Sequence, residues 1–161
     1  MLQDFNTLIR HCRTNDLDRV YDIERTSFPD YWPKLSLEYL LRINSEGFFV
    51  AEINEKIVGY AIASVERSLW KPWKTFGHLV NIAVDPEFRR KGIGKELVET
   101  IVEYLKSKNI WKVLLEVRTS NTVARNLYAD MGFLEEGIKE KYYEDGESAV
   151  IMAKEINGKS D

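Results

Sequence analysis

Hydrophobic residues occur along the chain in short runs that turn-forming residues separate. Such runs predict β-strands where they are rich in β-branched and aromatic residues. Seven segments fit this description: residues 8–13, 48–53, 57–66, 76–84, 112–117, 135–143 and 149–156. Only Asn54, Glu55 and Lys56 separate the second segment from the third, and residues 144–147 separate the last two. Each of these two pairs is therefore predicted to form an antiparallel hairpin.

Four other segments carry apolar residues at helical spacing. Asn15 or Asp16 is expected to cap the first helix, which ends near Ser27, and Ser36 is expected to cap the second. The fourth helix is predicted over 119–131. The third places six apolar side chains on one face: Ile93, Leu97, Val98, Ile101, Val102 and Leu105. The element order β-α-α-β-β-β-α-β-α-β-β is typical of an α/β (α+β) fold with a mixed sheet.

The composition indicates a single domain over residues 1–161. A chain of 161 residues with 44% hydrophobic content buries one core and is too short for two. The formal net charge of −3 gives no general electrostatic reason to bind nucleic acid or an anionic membrane. Cys12 is the one cysteine, so no internal disulfide and no cysteine-based metal site is expected. With no signal peptide or long apolar segment apparent, we expect a cytoplasmic protein.

A loop with two glycines lies between a strand and the third helix, and it is the first candidate binding site. It reads Arg89-Arg90-Lys91-Gly92-Ile93-Gly94-Lys95. Glycines permit close approach of a ligand, and the first amides of a helix have no intrahelical acceptor, so an anion such as pyrophosphate is expected here. A dinucleotide fingerprint needs a small residue where Leu97 stands, and a P-loop needs Ser or Thr where Glu96 stands. Neither of those two motifs fits.

The loop resembles the R/Q-x-x-G-x-G/A motif of the GNAT superfamily of N-acetyltransferases, with Arg89, Gly92 and Gly94 in register. A second set of residues is similar to the LEVR-x-SN…A…LY…GF pattern of ribosomal-protein alanine and archaeal-type protein amino-terminal acetyltransferases: Leu115 to Asn121, Ala124, Leu127, Tyr128, Gly132 and Phe133. The likeness extends over most of the chain. It implies the GNAT fold, a mostly antiparallel sheet of about seven strands with four helices, whose strands splay at the acetyl-coenzyme A site.

The resemblance implies direct acetyl transfer from acetyl-coenzyme A to an amine in a ternary complex, with no acyl-enzyme and no metal. An α-amino group has a pKa near ~8, so only on the order of a tenth is neutral at pH 7 and a base is needed. By resemblance, Glu116 is that base, directly or through a water, and His78 supports it by helping to hold the water. Tyr128 is expected to protonate the departing thiolate.

The resemblance also implies which residues hold acetyl-coenzyme A. The end of the central strand is expected to bind the acetyl carbonyl, the loop the pyrophosphate, and Asn121 the pantetheine arm. The expected residues are Ile82, Ala83, Val84, Arg89, Arg90, Lys91, Gly92, Ile93, Gly94, Lys95, Asn121 and Tyr128. Taken singly, Glu116 also suits a solvent-facing strand position, Tyr128 a core aromatic and Asn121 a helix cap.

Two aromatic segments are expected to frame the acceptor. By resemblance, Phe28, Pro29, Tyr31, Tyr142 and Tyr143 line a narrow slot that admits the first residues of a peptide and excludes a lysine side chain in mid-chain. The predicted function is acetylation of protein amino termini, ribosomal proteins among them, with small or hydrophobic first residues. The expected partners are protein or peptide amino termini and, as one candidate, the ribosome, with a monomer or homodimer as the acting form.

Other interpretations stay open. A small-molecule acetyltransferase acting on a polyamine or an antibiotic would suit the acidic residues of the closing hairpin: Glu140, Glu144, Asp145 and Glu147. A sensor that binds acetyl-coenzyme A without turnover is another possibility, although binding alone does not require the two catalytic side chains. The loop with Trp70, Pro72 and Trp73 either forms a docking patch for a subunit or the ribosome, or packs against its own domain.

Overall fold

The computed structural model describes residues 6–157, which contain seven strands and four α-helices. The strands are β1 (Leu8–His11), β2 (Phe48–Ile53), β3 (Lys56–Arg67), β4 (Thr75–Val84), β5 (Lys112–Arg118), β6 (Leu134–Lys139) and β7 (Ala149–Glu155). The helices are α1 (Leu17–Ser27), α2 (Lys34–Ile43), α3 (Ile93–Ser107) and α4 (Thr122–Asp130). Three short 3-10 turns connect some of these elements: Thr14–Asp16, Ser45–Gly47 and Pro86–Phe88.

The strands form one sheet in the order β1-β2-β3-β4-β5-β7-β6. The pairs β1–β2, β2–β3, β5–β7 and β6–β7 are antiparallel, whereas β4 and β5 are parallel. The parallel ladder is short and consists of Gly77 with Val113 and His78 with Leu114. By contrast, β5 pairs with β7 along its whole length. The predicted α/β fold, with a mixed, mostly antiparallel seven-stranded sheet and four helices, is confirmed.

The chain divides into two compact units. The first contains Met1–Ala63 and Asn81–Ile101, and the second contains Ser64–Val80 and Val102–Asp161. The sequence-based expectation of one domain over residues 1–161 stays a prediction. No helix within residues 6–157 has both the length and the apolar character needed to cross a bilayer.

The core of the first unit is formed by α1, α2, β2, β3 and the first turns of α3. The β2–β3 turn consists of Asn54 and Glu55, whose φ angles of 49° and 62° are left-handed, as expected for a two-residue hairpin turn. Lys56 already pairs with Ile53, so the turn is one residue shorter than predicted. The fully buried large side chains of this unit are Ile23, Glu24, Leu37, Phe48, Tyr60, Ile62, Ile93, Leu97 and Ile101.

The core of the second unit surrounds β5. Burial alternates along β5, with Val113, Leu115 and Val117 buried and the residues between them partly exposed. A Cβ atom on Gly77 would lie 2.5 Å from Cδ1 of Leu105, so glycine lets α3 approach β4 this closely. The alternation directs Leu114, Glu116 and Arg118 to the face opposite the buried side chains.

Two helix starts differ from the prediction. Ser36 does not cap the second helix, because α2 already begins at Lys34 with Pro33 as its N-cap residue. Proline lacks an amide hydrogen that a helix start would leave without a partner, so it suits this position. The last helix begins at Thr122 rather than residue 119, since Asn121 caps it.

Asp16 is the N-cap residue of α1, as predicted, but its carboxylate makes no cap hydrogen bond there. It accepts hydrogen bonds from the guanidinium of Arg10 at 2.7 Å and from the N–H of Arg13 at 2.8 Å. The carboxylate therefore closes the preceding 3-10 turn and joins it to β1.

Two loops also differ from expectation. Strand β6 ends at Lys139, so residues 140–148 form a longer connection to β7 than the predicted four-residue turn. In the loop after β3, Leu69, Trp70 and Trp73 are 93%, 91% and 77% exposed. Of the two alternatives for the tryptophans, packing against their own domain is therefore wrong.

Candidate active site

His78 and Glu116 lie on the same face of neighbouring strands. His78 of β4 pairs with Leu114 of β5, and Glu116 is two residues further along β5. Residues that pair directly, and residues two apart on one strand, point to the same face of a sheet. The parallel pairing therefore brings together two side chains that are 38 residues apart in sequence.

The imidazole of His78 lies between two carboxylates. Its Nε2 is 2.6 Å from Oε2 of Glu116, and its Nδ1 is 2.8 Å from Oε1 of Glu66. Both ring nitrogens donate only when the ring is protonated, so this geometry corresponds to an imidazolium. The hydroxyl of Ser64 donates to the same Glu66 oxygen at 3.1 Å. Sequence reasoning missed Glu66, although the end of the buried run in β3 after residue 63 was a weak signal.

The other oxygen of Glu116 accepts a hydrogen bond from Lys139. The ammonium Nζ lies 2.9 Å from Oε1. The antiparallel ladders bring the two together, because Lys139 of β6 pairs with Ala149 of β7, which pairs with Arg118 of β5. The Glu116 side chain is 14% exposed and the Lys139 side chain 47% exposed. Sequence reasoning missed Lys139, since this contact depends on sheet register.

Burial and charge act in opposite directions on the pKa values of this cluster. Burial raises the pKa of Glu116, but the hydrogen bonds and charges of His78 and Lys139 outweigh it and lower the pKa from 4.5 to about 2. Burial lowers the pKa of His78, but the carboxylates of Glu116 and Glu66 outweigh it and raise that pKa above 6.5. The hydrogen bond to Glu116 raises the pKa of Lys139. Glu116 is therefore ionised at neutral pH.

Tyr128 and Asn121 belong to α4 and its cap. Tyr128 is 6% exposed, and its ring centroid lies 5.7 Å from that of Phe133. Burial and, secondarily, the nearby Tyr143 raise the pKa of Tyr128, so the phenol keeps its proton at neutral pH. Oδ1 of Asn121 accepts from the N–H of Ala124 at 3.2 Å. Their expected roles toward acetyl-coenzyme A stay predictions.

Tyr142 and Tyr143 follow β6 and contact cations of the second unit. Their rings meet edge to face, with centroids 5.0 Å apart. Nζ of Lys139 lies 5.2 Å from the Tyr142 centroid, and the guanidinium carbon of Arg118 lies 4.0 Å from the Tyr143 centroid. Burial and the charge of Glu116 raise the pKa of Tyr142. The structure thus brings Tyr142 into the Glu116 cluster, which the sequence did not indicate.

The predicted pyrophosphate loop lies in the first unit and is braced where it leaves β4. Nε of Arg89 donates to the carbonyl of Val84 at 2.9 Å, and its Nη2 donates to the hydroxyl of Ser27 at 3.3 Å. Asp85 is buried, forms an ion pair with Arg19, and accepts a hydrogen bond from the N–H of Glu87 at 3.0 Å. The guanidinium of Arg89 therefore holds the loop to its own unit.

The loop then adopts a backbone conformation that suits an anion. Arg90 and Gly92 have left-handed φ angles of 62° and 81°, and a Cβ atom on Gly92 would meet no atom within 4 Å. Ile93 is 2% exposed and anchors the start of α3. The first helical hydrogen bond runs from the N–H of Glu96 to the carbonyl of Gly92, so the earlier amides have no intrahelical acceptor. A pyrophosphate fits this segment, since basic side chains flank Gly92 on both sides.

A buried carboxylate adjoins the strand end at which the acetyl carbonyl is expected, residues 82–84. Glu24 of α1 is 1% exposed. One oxygen accepts from the N–H of Trp32 at 2.9 Å, and the other accepts from the Tyr60 hydroxyl and, at 2.9 Å, from Nδ2 of Asn81. Oδ1 of Asn81 accepts from the N–H of Ile82 at 3.1 Å. Burial raises the pKa of Glu24 despite these hydrogen bonds. Sequence reasoning missed this cluster.

Phe28, Pro29 and Tyr31 lie in the loop between α1 and α2. The N–H of Phe28 donates to the carbonyl of Glu24 at 3.1 Å and ends α1. Tyr31 is 45% exposed and meets Tyr21 edge to face, with centroids 6.1 Å apart. Their expected contact with the acceptor stays a prediction. Within residues 6–157, no cluster of three His, Cys, Asp or Glu side chains is arranged to hold a metal ion.

Comparison with known proteins identifies the family. A model described as "Acetyltransferase (GNAT) family" matches residues 17–133. The chain is 38% identical over 151 residues to the N-alpha-acetyltransferase of Sulfurisphaera tokodaii, covering 90% of each. It is 33% identical over 152 residues to the ribosomal protein bS18-alanine N-acetyltransferase of Escherichia coli K12, covering 92% of this chain and 97% of that one.

A solved structure supports the same assignment. The crystal structure of Ard1 from Thermoplasma volcanium superposes with a TM-score of 0.86 at 29% identity, covering 94% of this chain and 98% of that one. The chain therefore belongs to the GNAT acetyltransferase family, whose members are acyltransferases that use acetyl-coenzyme A.

Proposed function

We propose that this chain transfers acetyl from acetyl-coenzyme A to the free α-amino group at the amino terminus of proteins, ribosomal proteins among them. The observation that carries the proposal is the half-buried carboxylate of Glu116, with His78 on one oxygen and Lys139 on the other. The names of the relatives, an N-alpha-acetyltransferase and a ribosomal-protein alanine N-acetyltransferase, support this class of acceptor. Acetyl-coenzyme A supplies the acetyl group in activated form, as a thioester.

In this proposal, Glu116 binds the acceptor nitrogen and takes its proton. Because Glu116 is ionised at neutral pH, Oε1 attracts an ammonium group. A carboxylate with a pKa of about 2 is too weak to deprotonate an ordinary ammonium of pKa ~8. The bound ammonium therefore first loses one proton to solvent, because only the neutral amine, on the order of a tenth of the termini at pH 7, attacks the thioester. The nitrogen that is forming an amide bond then sheds a second, far more acidic proton, and Glu116 accepts that proton directly or through a water held with His78.

Tyr128 is the proposed acid for the departing sulfur. Burial raises its pKa, so the phenol is protonated across the neutral range and has a proton to donate. Its ring is buried on α4 and packs on Phe133, which limits movement of the side chain. A tyrosine that only filled the core would tolerate replacement by phenylalanine without loss of turnover.

Acetyl-coenzyme A would be held by three groups of residues. The amides from Arg90 to Lys95, with their basic side chains, would bind the pyrophosphate, and Arg89 would contribute by bracing that loop. The main chain of Ile82, Ala83 and Val84 would bind the acetyl carbonyl. Asn121 would bind the pantetheine arm with the side-chain N–H₂ that its cap hydrogen bond leaves available.

The acceptor is proposed to contact Phe28, Pro29, Tyr31, Tyr142 and Tyr143, the residues that the resemblance to amino-terminal acetyltransferases implies. These side chains are aromatic or apolar and suit small or hydrophobic first residues. Equal rates on peptides that begin with alanine and with aspartate would contradict this preference. We propose that the enzyme acts in the cytoplasm, as a monomer or homodimer, on finished or nascent chains.

The ribosome is one candidate partner, and the exposed side chains of Leu69, Trp70 and Trp73 are the surface proposed to dock there. A Trp70→Ala/Trp73→Ala double variant is expected to acetylate short peptides at the wild-type rate but to co-sediment less with ribosomes. Equal co-sedimentation of both proteins would remove this surface from consideration.

The function is tested by acetyl transfer to short peptides with free or blocked amino termini, alongside spermidine. We expect transfer to free termini alone, and loss of transfer in Glu116→Gln and Tyr128→Phe. Glu103→Gln and Tyr39→Phe change the same residue types at exposed positions outside the site and serve as matched controls. Transfer to blocked peptides through internal lysines would contradict the proposed acceptor.

A small-amine acetyltransferase is the alternative enzyme, and the acidic residues of the closing segment give it limited support. Asp145 and Glu147 pair with Arg118, and Glu147 also accepts from the Ser120 hydroxyl, so these carboxylates already have partners. Transfer to spermidine without transfer to peptides would favour this alternative. Tight binding of acetyl-coenzyme A with no transfer to any acceptor would favour a sensor.

A further inference from the structure

The cation bound to Glu116 belongs to the same chemical class as the amino terminus that the enzyme is proposed to acetylate. Lys139 presents a primary ammonium 2.9 Å from Oε1. Most amino termini are also primary ammonium groups at neutral pH, since their pKa is near ~8. Because His78 binds Oε2, Oε1 is the oxygen at which an acceptor would bind.

We propose that Lys139 is a displaceable occupant of the ammonium subsite at Oε1 of Glu116, and that an incoming amino terminus exchanges with it before transfer. This inference rests on the proposed function, because it assumes that Glu116 binds the acceptor nitrogen. Two ammonium groups on one carboxylate oxygen repel each other, so the lysine and the acceptor bind there in competition.

The position of Lys139 suits exchange. It is the last residue of β6, and its side chain is 47% exposed, so the ammonium reaches water by rotation of its own side chain. Its other close contact in this cluster is the ring of Tyr142, 5.2 Å from Nζ, a residue proposed to contact the acceptor. Arrival of a peptide at Tyr142 would therefore disturb both contacts of the lysine.

Within residues 6–157, the cations nearest in the sheet to Lys139 and Glu116 are committed elsewhere: Arg118 pairs with Asp145 and stacks on Tyr143, and His78 binds the other oxygen. His78 of β4 is hydrogen-bonded to Glu116 on one side and to Glu66 on the other. Tyr142 lies in the segment after β6, and the residue of β7 that pairs with Glu116 in the ladder is the apolar Ile151. When Lys139 leaves, the acceptor's own ammonium restores the charge balance of the carboxylate. The lysine thus keeps Oε1 occupied only while no acceptor is bound.

The test is the KM for a free-terminus peptide at saturating acetyl-coenzyme A. Removal of the competitor in Lys139→Met is expected to lower KM about two- to fivefold, the range of a partly exposed ion pair, with kcat unchanged. Lys139→Arg retains a cation and is expected to keep a KM near that of the wild type. Lys141→Met, at an exposed position two residues away, is the matched control and should change neither constant.

A small primary ammonium ion in solution should replace the missing lysine cation, which gives a second test of the same competition. Ethylammonium chloride added to Lys139→Met is expected to raise the peptide KM back toward the wild-type value, whereas potassium chloride at equal ionic strength is not. An unchanged KM in Lys139→Met, or a lower kcat at constant KM, would overturn the exchange and leave a positioning role. In either case a wild type that acetylates peptides keeps the proposed function, whereas a wild type without transfer would overturn both.

Discussion

Two glutamates, the buried Glu24 in the first unit and the half-buried Glu116 in the second, have pKa values shifted in opposite directions by their surroundings. Glu24 is 1% exposed and accepts hydrogen bonds from neutral donors, the N–H of Trp32, the Tyr60 hydroxyl and the Asn81 amide. Burial is the dominant effect there and raises its pKa. Glu116 is less buried and has cationic partners on both oxygens, and its pKa falls to about 2.

Under the proposed function, this difference separates a structural carboxylate, Glu24, from a catalytic one, Glu116. Neutral donors satisfy Glu24 without offering it a counter-charge, and its oxygens are closed off from solvent, so it holds the α1–α2 loop to β3 and β4. The partners of Glu116 include a half-exposed lysine, the contact at which exchange with the acceptor is proposed.

Glu116→Gln is expected to lower kcat by roughly 10²–10⁴-fold, the contribution typical of a positioned acid or base, because the amide is not a proton acceptor of useful strength. Steady-state transfer to a free-terminus peptide measures this change. Circular dichroism should show an intact fold, and Glu103→Gln should match the wild type. A kcat within a few-fold of the wild type would remove Glu116 from the chemistry.

Glu24→Ala is expected to lower the free energy of unfolding by about 2–4 kcal/mol, since it removes the acceptor of the Trp32 N–H and of the buried Tyr60 hydroxyl and opens a cavity. Denaturant unfolding measures the change. Glu116→Ala, compared under the same conditions, should cost less, because its partners are closer to solvent. If the two losses were equal, the contrast between a structural and a chemical glutamate would fail.

The two glutamates should contribute to stability with opposite dependence on pH. The folded-state pKa of Glu116, about 2, lies below its ordinary 4.5, so its contribution is present above pH 4.5 and is lost as the pH falls toward 2. The folded-state pKa of Glu24 lies above its ordinary 4.5, so its contribution is present below pH 4.5 and is lost as the pH rises through the folded value.

Each contribution is read as the pH-dependent difference in unfolding free energy between the wild type and the matching Glu→Gln variant. Urea unfolding at several pH values between about 3 and 7 measures both series. Slopes of the same sign for Glu24→Gln and Glu116→Gln would contradict the opposed pKa shifts.

Asn81→Ala gives the smallest expected effect, a loss of about 1 kcal/mol of unfolding free energy, because Glu24 keeps two of its three donors. The same change also removes Oδ1 of Asn81, the atom that accepts a hydrogen bond from the N–H of Ile82 at 3.1 Å. A loss as large as that of Glu24→Ala would show that the amide, rather than the carboxylate, organises the cluster.

Local patterns in the sequence predicted most of the fold. The apolar face of α3 is buried at all six positions, and β2 has the predicted limits, because both patterns depend on residues a few positions apart. Caps and strand ends were less predictable. Apolar spacing does not set these limits. Ser36 lies inside α2, because the helix already begins after Pro33, and β6 ends at Lys139, before its predicted limit.

The sequence by itself determined the family, through the glycine-containing loop and the segment from Leu115 to Phe133. Through that resemblance it also predicted Glu116 as the base and His78 as a supporting residue. Tertiary structure alone decided what surrounds that pair. Glu66, Lys139 and Tyr142 come from different elements, and only strand pairing and register bring them to Glu116. The same holds for Glu24, whose donors lie as far as 57 residues away. Sequence spacing contains no information about such contacts, because it is the paired sheet that sets these distances.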